Sequence, residues 1–139
     1  MKPAHLLATM LTGLLAGTCL AQEKNAPKAP IERQILSRQM ASGAGAREIV
    51  TASVSVAPGV RAGWHVHPGE EISQINEGEA TLHIAGQPPR KLKAGDSFVI
   101  PAGVAHDAQN HGAGPLKVFA VYLVEPGKPL ASPVSPPQE

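Results

Sequence analysis

The sequence predicts an all-β domain, a sandwich or barrel of antiparallel strands, and three observations carry that expectation. Apolar and polar residues alternate at period two, turn residues recur at short and even intervals, and no convincing helical periodicity follows the amino-terminal leader. Regular turn punctuation between short strands is the signature of a closed or double-layered β-architecture rather than of βαβ units.

The leader comes first. Lys2 supplies a positive start, and Leu6 to Leu20 is apolar or small and uncharged. Cys19-Leu20-Ala21 places small residues where a signal peptidase needs them before Gln22, so residues 1–21 read as a secretory signal peptide with cleavage near Ala21/Gln22. The stretch is shorter than a membrane span of roughly 20 apolar residues. A retained anchor is the alternative, and Ala16-Gly17-Thr18-Cys19 leaves lipidation of Cys19 as another, with Thr18 a poor residue before the cut. Cys19 is the only cysteine, so a chain cut after Ala21 carries no disulfide, thiol nucleophile or thiolate ligand. The expected location is periplasmic or secreted, with no membrane association once the leader is gone.

Residues 22–30 form a polar linker, residues 31–125 the β-barrel domain, and residues 126–139 a tail whose prolines, Pro126, Pro129, Pro133, Pro136 and Pro137, predict an extended or disordered segment. Within the domain, Gln34 to Met40 reads as an edge strand in preference to a single helical turn. Val50, Ala52, Val54 and Val56 alternate with Thr51, Ser53 and Ser55, a half-buried strand. Arg61 to His67, Glu71 to Asn76, Thr81 to Ile84, Ser97 to Ile100 and Lys117 to Val124 follow as strand candidates. Turns fall at Pro58-Gly59, Pro68-Gly69, Glu77-Gly78, Gly86, Pro88-Pro89, Ala94-Gly95 and Gly112 to Pro115.

At 139 residues the chain holds one domain, and its formal charge of +1 falls to about zero without Lys2. No basic run appears, so nucleic acid is not an expected partner. Trp64, Phe98, Phe119 and Tyr122 are the only aromatics, too few for a ring-stacking pocket, and any substrate or ligand is expected to be small.

The chemistry lies in the histidines. His65 and His67 are two apart on an expected strand and therefore share a face. Pro68-Gly69 bends the chain, Glu71 opens the next strand within reach of them, and a second turn at Pro101-Ala102-Gly103 precedes His106. Imidazoles and a carboxylate that converge suit a divalent transition metal. His-x-His alone is equally a polar exposed face.

The ordered spacing says more. Gly59, five residues, His65, one, His67, three, Glu71, six and Gly78 form one set; Gly95, five, Pro101, one, Gly103, two, His106, three and Asn110 form a second. Together they resemble both motifs of the cupin superfamily, without a gap, over Gly59 to Asn110. The chain is similar to small, single-domain bacterial cupins of the type-2 kind, in an exported form. The resemblance implies a jelly-roll β-barrel and names His65, His67, Glu71 and His106 as metal ligands. It implies a homodimer as well, which nothing in the sequence shows directly. Gly78 and Gly95 stand where tight turns need positive φ, and Asn110, sharing a face with His106 on a regular strand, is a structural or supporting partner.

Other residues rank lower. His83 is expected to face solvent, His111 to sit in a loop, and His5 belongs to the leader. Glu70 and Asp107 alternate away from the ligands and read as solvated charges. Trp64 alternates away too and reads as packing. Ser73 and Ile75 share the parity of Glu71, and Ala108 that of His106. Phe98, Ile100, Val121 and Leu123 read as core or cavity wall.

Four protein ligands leave two positions on a six-coordinate ion for water, substrate or dioxygen. Manganese, iron, cobalt and nickel fit that set, copper is open, and zinc would more often close it as a tetrahedral site. The expected function is a metal-dependent oxidoreductase, dioxygenase-like, acting on a small molecule, with Glu71 doubling as base by its likeness to the ligand-base glutamate of some cupin dioxygenases. No other inward acid–base group is apparent from the sequence. The rival is a non-catalytic module holding a small ligand or a structural metal.

Overall fold

The computed structural model describes residues 29–43 and 45–138, so the expected leader and most of the linker lie outside the described residues. Among the described residues, ten strands run in chain order: β1 (Ile31–Met40), β2 (Glu48–Val56), β3 (His65–Val66), β4 (Gly69–Glu77), β5 (Glu79–Ile84), β6 (Arg90–Lys93), β7 (Ser97–Ile100), β8 (His106–Asn110), β9 (Leu116–Val124) and β10 (Ser132–Pro133). They form two five-stranded sheets, ordered β1-β2-β9-β4-β7 and β10-β3-β8-β5-β6. Every pairing is antiparallel. This is the jelly-roll barrel that the motifs imply.

Period two decides which side chains meet between the sheets. Val50, Ala52 and Val56 of β2, with Val54 half-buried between them, and Leu116, Val118, Ala120, Tyr122 and Val124 of β9 are buried on that period. The core has two parts. One gathers Val56, Ile75, Leu82, Ile100, Leu116 and their neighbours, the other Val50, Ala52, Ala120, Tyr122 and Val124. Glu71 of β4 lies in register between Ile100 of the first part and Tyr122 of the second, so the metal-ligand candidate sits where the two parts meet.

Two glycines make this packing possible. A Cβ on Gly69 would lie 2.0 Å from the Leu123 carbonyl oxygen, so only glycine lets β4 start this close to β9, two residues before Glu71. Gly78 adopts φ 86° in the turn from β4 to β5, with the Pro115 carbonyl 2.9 Å from where a Cβ would stand. Gly95 likewise has the positive φ expected of its turn.

Several expectations need correction. Val121 and Leu123 do not face inward; Tyr122 and Val124 do. Almost every residue of 116–124 is apolar, so hydrophobicity alone leaves two frames open. Lys117, the one charged residue of the strand, marks the outward set and was the available signal. Asp107 does point away from His106 but is fully buried, because the segment at 61–63 runs antiparallel beside β8 and its groups close over the carboxylate. There Arg61 pairs with it at 2.5 Å and the Gly63 amide donates to it at 2.9 Å. The tail is extended but not free. Ser132–Pro133 pairs with β3, and the Val134 amide donates to the Trp64 carbonyl at 2.9 Å. Proline-rich composition predicts extension, and an extended segment without internal partners is suited to join a sheet edge. Strand β6 carried no strong sequence signal, and the first histidine strand is only two residues long.

Candidate metal centre

Three short segments bring the histidines together. His65 on β3 and His106 on β8 are direct cross-strand partners, with ring centroids 4.3 Å apart. His67 follows β3 and turns back toward them, 4.9 Å from the ring of His65 and 5.0 Å from that of His106. The turn expected at Pro101–Gly103 holds both halves in place, because the Gly103 amide donates to the His67 carbonyl at 3.0 Å. Glu71 reaches in from the other sheet. Its Oε2 lies 2.8 Å from His67 Nε2 and 3.3 Å from His106 Nε2, while Oε1 accepts a 2.6 Å hydrogen bond from the Ser73 hydroxyl.

Each imidazole has its Nδ1 against a backbone carbonyl: His65 against Gly63 at 2.7 Å, His67 against Leu130 at 2.5 Å and His106 against Val104 at 3.0 Å. A carbonyl only accepts, so each Nδ1 must carry the hydrogen. In the neutral ring Nε2 is then an unprotonated lone pair. The three histidines offer ligand atoms that all lie within 4.8 Å of one another, and His67 and His106 are buried. The Nε2 atoms of those two have no hydrogen-bond donor among the described residues, and their near neighbour Glu71 is itself an acceptor. Buried lone pairs facing a carboxylate are unfavourable unless a cation lies among them. Donors about 2.1 Å from one ion and at right angles to each other are about 3 Å apart, which matches the Glu71 contacts. The donor set therefore fits a divalent metal ion.

Electrostatics agree. Burial pushes the Glu71 carboxyl up, but the facing ring nitrogens of His106 and His67 and the Ser73 hydroxyl outweigh it, and hold the group well below the usual carboxylate range. Burial lowers His65 to about 4, so its ring is neutral at pH 7, as a metal ligand must be.

The site opens on a cavity of about 290 Å³ lined by His65, Glu71 and His106 on one side and by Arg33, Val54, Phe98 and Tyr122 among others. Ala108 also faces it, as its parity predicts. Ser73 is buried behind Glu71, whereas Ile75, Ile100 and Phe98 join the core, Phe98 reaching the cavity as well. Asn110 lies away from the ligands and is structural: its Nδ2 donates to the carbonyls of Val56 and Gly114, and its Oδ1 accepts from the Gly112 amide, each at 2.9 Å. Glu70 is half-buried on the far side of β4. His83 is half-buried on the outer face of β5, where its ring meets Trp64 at 6.3 Å, and exposed His111 lines a separate hollow beside Glu79 and Lys91.

Three contributors escaped the sequence reading. Tyr122 packs its ring 4.8 Å from that of His67, and the right frame for β9 would have found it. Arg33 enters the cavity from β1, a strand outside both motifs. The Leu130 carbonyl, which fixes His67, belongs to the tail; a backbone oxygen leaves no mark in a sequence.

A family model described as cupin domain matches residues 52–122. Among curated proteins, the HTH-type transcriptional regulator PuuR of Escherichia coli is 38% identical over 66 residues, covering 47% of this chain and 35% of the regulator. Dimethylsulfoniopropionate lyase DddQ of Ruegeria pomeroyi is 42% identical over 48 residues, covering 34% and 24% of the two chains. The chain thus spans about a quarter to a third of the length of these relatives. The crystal structure of the same lyase superposes with TM-score 0.64 at 24% identity, covering 79% of this chain and 54% of the lyase. Oxalate decarboxylase of Bacillus subtilis superposes with TM-score 0.51 at 26% identity, covering 55% and 22%.

Proposed function

The chain belongs to the cupin family, and on that premise we propose that it is a metal-dependent enzyme acting on a small molecule, with His65, His67, Glu71 and His106 as the metal ligands. One observation carries the reading: all three Nδ1 atoms are committed to backbone carbonyls, which leaves three Nε2 lone pairs converging beside an anionic carboxylate. The ligand set opens on the cavity, which favours an enzyme over a closed structural site. When bound, a divalent ion with open positions supplies Lewis acidity or, for iron or manganese, dioxygenase-like oxidation. The chain's own groups orient the site. Ser73 holds one Glu71 oxygen, and the other faces the histidines, where it is placed to take a substrate proton as a base. The names of two neighbours, a dimethylsulfoniopropionate lyase and an oxalate decarboxylase, lend support to small-molecule chemistry.

A second reading has its own support: the barrel also aligns with part of a transcriptional regulator, in keeping with a module that binds a small ligand without turnover. Metal analysis followed by dioxygen-uptake and elimination assays separates the two. About one equivalent of iron or manganese with turnover supports the enzyme. Tight ligand binding without turnover supports the module, and absence of metal from the wild type sinks the metal site.

Two further assignments belong to the same proposal. The protein acts outside the cytoplasm, in the periplasm or as a secreted protein, an idea supported by the leader pattern of residues 1–21; sequencing the amino terminus of the exported protein tests it. It forms a homodimer, for which the exposed Ile72, Val99 and Phe119 on the outer face of the first sheet offer apolar surface. A monomer in sedimentation equilibrium at micromolar concentration rejects it.

A further inference from the structure

Among the described residues outside the ligand set, the cavity has one charged lining residue, Arg33. It stands in register with Val54, which pairs in turn with Val118, and all three line the cavity. Among the described residues no carboxylate pairs with it. Tyr122, buried to 2% exposure, lines the same cavity, feels the positive charge of the Arg33 guanidinium and lies in register with Glu71.

Donor chemistry decides what this pair can hold. A guanidinium has donors and no acceptor, and a tyrosine hydroxyl has one O–H to give. An ordinary tyrosine phenol is neutral at physiological pH, so it is a donor there. The guanidinium N–H groups and the phenol O–H are donors lining one cavity, and among the described residues no carboxylate pairs with them. With a divalent ion among the ligands, Glu71 offsets one positive charge, while Arg33 adds another. Most of the remaining lining is apolar, including Val54, Leu82, Phe98 and Val118.

We propose that Arg33 and Tyr122 form an anion subsite, and that the molecule taken into this cavity is a small carboxylate with an apolar body. The carboxylate accepts from the Arg33 fork and the Tyr122 hydroxyl, and the body packs on the valines and Phe98. The proposal rests on the metal-enzyme reading for its charge balance and names the substrate class for the same site.

The test uses two isosteric probes, butyrate and its neutral amide butyramide, titrated by calorimetry into the full-length protein, as purified with its metal content measured and again after metal removal. The wild type as purified is expected to bind butyrate at least tenfold more tightly than butyramide. Arg33→Gln erases that preference at unchanged metal content, Arg33→Lys keeps part of it, and Tyr122→Phe reduces it severalfold. Arg33 is exposed on an edge strand, and unchanged circular dichroism of the variants excludes loss of the fold. A wild type that does not distinguish the probes, or a preference that survives Arg33→Gln, overturns the subsite. Absence of metal from the wild type strikes the metal reading instead, and the Arg33 dependence is still read from the metal-free titrations.

Discussion

The site is built by two regions that obey different rules. The motif region, from Gly59 to Asn110, supplies every proposed ligand through side chains at fixed spacing. The flanking regions, β1 and the segment after β9, reach the same cavity without any spaced motif: Ile31, Arg33, Ala131 and Pro133 line it, and the Leu130 carbonyl holds His67. Both sets touch one small volume, yet only the first leaves a pattern in the sequence. Convergence of imidazoles on a point demands particular residue types at particular intervals. A hydrogen bond to a carbonyl demands only that some residue be there.

The comparison breaks most sharply at the ligands. His67→Ala is expected to take metal content from about one equivalent to near zero by mass spectrometry, with the barrel still folded by circular dichroism. Retention of a full equivalent would move the metal elsewhere. The flank comes next. A chain ending at Lys128 loses the Leu130 carbonyl and strand β10 but no ligand side chain. Loss of an outer partner of a metal-bound histidine costs about 10–100-fold in affinity, and competition with a chelator should read that weakening. Unchanged affinity would mean that the tail covers the site without shaping it.

A third prediction separates structure from chemistry inside the motif region. Asn110→Ala strands the Val56 carbonyl and the Gly112 amide and should cost about 2 kcal/mol in urea unfolding, while metal content stays at the wild-type level. Loss of metal would promote Asn110 to the site itself.

The smallest effect concerns pH. In metal-stripped protein His65 titrates near 4, lowered chiefly by burial from an ordinary value of 6.5. The folded state then binds fewer protons than the unfolded one between those values. The His65 contribution is complete above about pH 6.5 and is lost as pH falls toward 4. His65→Gln should flatten that part of the stability profile measured by thermal melts, and an unchanged slope would assign it to other groups.

Much of this was legible beforehand. Alternation at Val50 to Val56 predicts β2, the turn glycines predict where strands end, and the two spaced sets predict which histidines meet. Local rules suffice there, because strand parity and turn conformation are set by a few neighbouring residues. Asp107 shows where they stop. Its parity was readable, but its burial depends on residues 61–63 pairing beside β8 and bonding its carboxylate, forty-odd positions away. The frame of β9 is a subtler case, where a single lysine was the whole signal for a choice that puts Tyr122 rather than Val121 against His67.

By itself, then, the sequence determined the all-β class, the two turns and the side chains proposed to meet a metal, since each follows from period, spacing and residue chemistry. Only the tertiary structure decided the tautomers of the three histidines, the burial of Asp107, the entry of Arg33 and Tyr122 into the cavity, and the capture of the tail by β3. Those features arise from contacts between segments far apart in the chain, often through backbone atoms that every residue possesses.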